Sequence, residues 1–154
     1  MVELGYNEVQ TLQPGAAAIL ENIRPCNKRP QRVVHDNMTP GITLRGIVAN
    51  PCCGNAQYNV RYSGNIAVTE GGTAGEIQLA LSVNGYVRPL TIAAATPAAA
   101  EEYWHVSGDA TIDVPVGCYT TVSVVNASVS PTPATTPAPA IDVRNLNVDI
   151  TRLA

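Results

Sequence analysis

No phenylalanine occurs in this chain, and it carries one tryptophan and two methionines. Core volume must therefore come from Val, Ile, Leu and Ala, six tyrosines and Trp104. Charge is scarce as well: Asp, Glu, Lys and Arg make up 14% of the 154 residues. An ordinary soluble chain has roughly 25%. The net charge of −3 argues against the broad basic surface that nucleic-acid binding needs. No apolar run approaches the roughly 18 residues that span a bilayer, so no membrane partner is expected. The opening Met-Val-Glu-Leu lacks the basic and apolar regions of a signal peptide, and synthesis in a cytoplasm is expected.

Metal and catalytic signatures are missing too. Cys26, Cys52, Cys53 and Cys118 form no C-x-x-C pair, and His35 and His105 do not stand at ligand spacing. No metal site and no cofactor are expected. Free buried thiols suit a cytoplasmically made protein; a disulfide formed after release into an oxidising medium is the alternative. Glu101-Glu102 are adjacent, and neighbours on a strand face opposite sides, so they make no acid–base pair. Asp109 and Asp113 lack the dense spacing of a calcium loop, and Asp109 suits a turn-capping role near Gly108 instead. No nucleophile elbow accompanies the Ser, His and Asp residues. The expectation is that the protein is not an enzyme.

What the chain does have is alternation. Ile77, Leu79, Leu81 and Val83 alternate with Gln78, Ala80, Ser82 and Asn84, which puts one set on the buried face of a strand. Asn84-Gly85 is a hairpin turn, with Tyr86 to Ala94 expected as the returning strand. Gln57 to Val68 places Tyr58, Val60 and Tyr62 on one face. Gly41 to Ala49, Thr111 to Val116, Tyr119 to Ser128 and Ile141 to Leu153 read as further strands, the last with a bulge near Arg144-Asn145. Ser107-Gly108-Asp109 reads as a turn. Eight to ten short strands at this spacing signal an all-β sandwich or barrel, and a jelly roll is one way to manage the edges.

The length fits one domain. Residues 1–32 are expected as an N-terminal arm and probable docking segment, with a short helix at 16–22 as the competing reading. Residues 33–154 are expected as the jelly-roll body. Within it, residues 130–140 carry Pro131, Pro133, Pro137 and Pro139 and predict an extended excursion.

Several motifs carry a resemblance. They are Gly41-Ile-Thr-Leu-Arg-Gly46, Tyr58-x-Val-x-Tyr-x-Gly-Asn-Ile-Ala-Val68, Gly71-Gly-Thr-x-Gly-x-Ile77 and Ala80-Leu-x-Val-Asn-Gly85. Thr96-Pro-Ala-Ala99, Ile112-Asp-Val-Pro-x-Gly-Cys118 and Val143-x-Asn-Leu-Asn-Val148 complete the set. From about Gly41 onward the chain resembles small jelly-roll proteins of the tumour-necrosis-factor/C1q-like kind, encoded in clostridial bacteria and their phages. The resemblance implies a compact homotrimer, and several such proteins look like phage virion surface proteins. It supplies no catalytic residues.

The functional expectation is a non-enzymatic capsid decoration protein on a phage head, located at the virion surface and bound to the major capsid protein. Arg24, Lys28, Arg29 and Arg32 are the candidate capsid-docking residues. The alternative is a glycan- or receptor-binding module of a phage fibre or bacterial surface, with Tyr103 and Trp104 as the ligand shelf.

Overall fold

Strict alternation builds the longest strand of the molecule. In the computed structural model, which describes residues 1–24, 31–48, 54–130 and 137–153, β6 runs unbroken from Asn55 to Val68. Ala56, Tyr58, Val60, Tyr62, Ile66 and Val68 are buried on one side of it. The other strands are β1 (Val2–Tyr6), β2 (Gln10–Leu12), β3 (Glu21–Arg24), β4 (Val33–His35), β5 (Ile42–Arg45), β7 (Ile77–Val83), β8 (Tyr86–Val87), β9 (Ala93–Ala95), β10 (Trp104–Pro115), β11 (Tyr119–Asn126) and β12 (Ile141–Arg152). They form two antiparallel sheets. The first has the order β10-β6-β12-β1-β3, with β2 also pairing β12. The second has the order β4-β5-β11-β7-β8, with β9 also pairing β7. The fold is the all-β jelly roll expected from the sequence. One continuous apolar core lies between the sheets.

Two tyrosines cross that core. The Tyr62 hydroxyl lies 2.6 Å from the Thr91 carbonyl and 2.8 Å from the Leu79 carbonyl, and shares its hydrogen between them. Tyr58 donates to the Arg45 carbonyl at 2.6 Å, with the Arg32 carbonyl at 3.3 Å. Both rings belong to the first sheet, while Leu79 and Arg45 belong to the second. Gly108 faces Tyr62 from β10. A Cβ there would lie 2.7 Å from both the Tyr62 ring and the Thr91 carbonyl. The glycine therefore marks a close approach, and β10 runs straight through the turn expected at Ser107-Gly108-Asp109.

The central hairpin forms, and its return differs from the expectation. Asn84 and Gly85 have φ values of 52° and 85°, as a type I′ turn requires. The returning strand is then interrupted after two residues by a 3₁₀ turn at Pro89–Thr91. Pro89 has no N–H for a ladder. The buried Thr91 hydroxyl fills the gap, accepting from the Leu81 N–H at 3.0 Å and donating to the Arg88 carbonyl at 2.7 Å. The ladder resumes at β9. Ala80 and Ser82, on the strand face expected to be open, are buried.

The described part of the 1–32 segment is not a projecting arm. β1 is inserted between β12 and β3, with Val2 opposite Ile150 and Tyr6 opposite Leu146. Leu4, Leu12, Ala18 and Leu20 enter the core. Pro14-Gly15 turns the chain as expected, and 15–18 then runs beside the free flank of β11: Ala18 N–H donates to the Val124 carbonyl, and Asn126 N–H to that of Ala16. These bonds are extended, so the helix reading of 16–22 fails. The bulge on β12 is present, as a register shift between Arg144 and Asn147 with Asn145 at φ 52°.

Burial pushes the Tyr62 hydroxyl well above the usual tyrosine range, with a smaller opposing effect from the Ala93 backbone. The folded state thus holds this proton more tightly than the unfolded chain. The resulting stability is complete below about pH 10 and lost as pH rises beyond it. Tyr62→Phe should cost about 1–3 kcal/mol at neutral pH in urea unfolding, because two buried carbonyls lose a donor. The gap between wild type and variant should shrink above about pH 10. An equally stable variant at neutral pH would refute the cross-core role of this hydroxyl.

Candidate functional site

The basic cluster is seen at its two ends. Arg24 closes β3, opposite Glu3 on β1, and is exposed. Arg32 is exposed just before β4, and its carbonyl receives the Arg45 N–H at 2.8 Å. Lys28 and Arg29 lie outside the described residues, as do Cys26, Cys52 and Cys53. Cys118 is exposed with a free thiol. Among the described residues, no group of three or more His, Cys, Asp or Glu side chains could hold a metal ion.

Tyr103 and Trp104 engage different partners. The Arg144 guanidinium lies over the Tyr103 ring at 3.9 Å from its centroid. Partial burial lifts the Tyr103 hydroxyl above the usual range; Asp142 and Glu101 add to this, and Arg144 opposes it. Trp104 is 47% exposed, and its indole N–H donates to Glu102 Oε1 at 3.1 Å. The other Glu102 oxygen accepts from the Ala98 N–H at 3.0 Å. Glu102 thus ties down the 98–102 turn, and Glu101 stands beside it at φ 61°. His105 Nδ1 contacts Asn65 Oδ1 at 3.3 Å across β10 and β6. Asp109 lies in mid-strand and accepts from Asn59 at 3.4 Å.

Sequence reasoning did not single out Arg144, nor the exposed apolar side chains of the second sheet. Leu90, at the tip of the 3₁₀ turn, is 100% exposed, Tyr86 is 80% exposed and Tyr119 is 70% exposed. Pro89 was the available signal for Leu90, since it breaks the strand and turns the next side chain outward. Arg144 gave its signal only through the expected bulge, because bulges re-aim neighbouring side chains.

The end of the Pro-rich segment is anchored. Residues 131–136 lie outside the described residues, but the Pro139 carbonyl accepts from Asn126 Nδ2 at 3.0 Å. The same nitrogen reaches the Leu12 carbonyl at 3.1 Å, and Asn126 Oδ1 accepts from the Ser128 N–H at 3.0 Å. Ser128 Oγ in turn accepts from the Gln78 N–H at 2.9 Å. Asn126 and Ser128 are both buried. Asn126→Ala would leave two carbonyls and an N–H without this partner. It should cost about 1–3 kcal/mol in chemical unfolding. A neutral effect would show that solvent replaces the side chain.

No model of a known protein family matches this chain, and no curated protein matches it. Solved structures do. The chain is similar to the Eiger TNF of S. frugiperda at 11% identity and a TM-score of 0.62, covering 99% of this chain and 91% of that one. It is also similar to the globular domain of the zebrafish complement 1qA protein, at 12% identity and a TM-score of 0.53, covering 96% and 92%. At such identities the likeness is one of fold: this chain has the jelly roll of TNF/C1q-like proteins.

Proposed function

We propose that the protein is a non-enzymatic structural subunit, a homotrimer that decorates the surface of a phage capsid and stabilises it by binding the major capsid protein. The observation that carries this reading is the display of large apolar side chains on an ordered scaffold. Leu90 is wholly solvent-exposed, yet its turn is fixed by buried Thr91. A chain with 14% charged residues that also presents Tyr86, Leu90 and Tyr119 has surface suited to burial against other subunits. The trimer number and the virion location come from the sequence resemblance. Because residues 2–24 are woven into the sheets, docking through a detached arm is replaced here by docking through basic side chains exposed on the body, among the described residues Arg24 at the end of β3 and Arg32 just before β4. Many weak contacts of this kind, multiplied over three subunits, would clamp neighbouring capsid subunits.

Light scattering at micromolar concentration should return the mass of three 16.1 kDa chains. Leu90→Lys should weaken the assembly while leaving the monomer's fold intact. Purified virions should contain the protein, and Arg24→Glu with Arg32→Glu should release it without altering its melting. A monomer, or absence from virions, would overturn this reading.

A second reading, glycan or receptor binding, is favoured by one observation: Trp104 is half exposed beside a Tyr103 ring braced by Arg144. Saturable glycan binding by the isolated protein, abolished by Trp104→Ala, would favour it over capsid decoration.

A further inference from the structure

We infer that Arg32, Arg45 and Tyr119 form a recognition row on the outer face of the second sheet, and that this row takes an acidic segment of a partner protein. The three residues lie side by side on neighbouring strands. Val33 pairs with Leu44, and the Arg45 N–H donates to the Arg32 carbonyl at 2.8 Å, which sets Arg32 opposite Arg45. Arg45 in turn pairs with Tyr119. Val33, Leu44 and Thr120, each adjacent in sequence to a member of the row, are buried. Alternation therefore turns the whole row outward, and all three residues are exposed.

Like charges placed directly opposite each other cost a sheet stability. Nothing on this sheet offsets that cost. Its strands, β4, β5, β7, β8, β9 and β11, contain no Asp or Glu. Among the described residues, no carboxylate bonds to either guanidinium, and the Arg32 side chain has no partner. Arg45 Nη1 reaches only the Gln31 carbonyl, at 3.4 Å.

The backbone beneath the pair is fixed. Tyr58 donates to the Arg45 carbonyl at 2.6 Å, and the Gly46 N–H donates to the Cys118 carbonyl at 2.8 Å. A Cβ on Gly46 would lie 1.9 Å from the Pro115 carbonyl oxygen, so no side chain fits there. The strands that carry the two cations cannot drift apart. An anion set between them meets donors already in position.

The chemistry of the row selects its partner. A guanidinium fork matches a carboxylate with two parallel N–H···O bonds. Tyrosine and arginine are also the side chains that dominate protein–protein contacts. Tyr119, at 70% exposure, is too open for a small ligand that needs burial. A nucleic acid would need more phosphate contacts than two arginines supply. A chain of net charge −3 does not attract acidic segments in general, so capture here is local. The inference rests on the docking role given to Arg32 above and names the chemistry of what docks.

Titration of the nitrogen-15-labelled chain with hexaglutamate at low salt tests this without a virion, so the inference can fail while the capsid reading stands. The Arg32 and Arg45 side-chain N–H signals and the Tyr119 amide should shift and saturate, while hexalysine leaves them in place. Arg45→Gln should weaken the binding about tenfold, the scale of one charge-assisted bond. Arg32→Gln should weaken it likewise without lowering the melting temperature, since it removes a like-charge pair. Tyr119→Ser should also weaken it. Shifts spread equally to Arg24 and Arg88, or binding unaltered in all three variants, would overturn the inference. So would a sulfated hexasaccharide that saturates the row where hexaglutamate does not. Should one variant fail to fold, the wild-type titration and the other two decide.

Discussion

The hydroxyls of Tyr58 and Tyr62 reach from β6 across the core to carbonyls of the opposite sheet. Without phenylalanine, the largest core side chains carry a polar atom that cannot be left unpaired. The sandwich solves this by aiming each hydroxyl at a backbone carbonyl. That fixes the spacing of the sheets at two heights along one strand, which apolar contact alone would leave free to slide. Several local features follow from it. Gly108 is small so that Tyr62 can pass, and the 3₁₀ turn brings the Thr91 carbonyl to meet it. Thr91 then repairs the ladder that Pro89 interrupts.

The sequence was legible where one physical rule governed a stretch. β6, β7 and β11 bury the residues that period two names, and β7 also buries Ala80 and Ser82 on its other face. Asn84-Gly85 and the β12 bulge were equally plain, since both rest on local backbone chemistry. Gly108 was read as a turn because glycine signals either a turn or a close approach. The choice between them lies with a tyrosine 46 positions away in sequence, counting from 62 to 108. The returning strand was over-extended for a related reason: a threonine side chain had to replace a backbone partner, and no spacing announces that.

The N-terminal segment shows the same limit more sharply. Val2, Leu4 and Tyr6 alternate, but five residues carry little signal by themselves. Their place is set by β12, at the far end of the chain. The candidate site was less legible than the fold. Tyr103 and Trp104 are adjacent in sequence but have separate partners, and the Tyr103 partner, Arg144, comes from another strand. Surface sites assemble from side chains that obey no period.

The pairing of β1 with β12 carries a consequence for synthesis. Val2 cannot find Ile150 until nearly the whole chain has left the ribosome. Until then β1 lacks its β12 partner and offers a bare edge to a neighbouring nascent chain. Contacts this distant in sequence also form slowly. The cell is therefore exposed to a brief sticky interval for every copy it makes. Crowding many ribosomes on one message lengthens the odds of two unfinished chains exchanging their first strands, so expression at lower temperature and translation rate should favour recovery of correctly closed subunits.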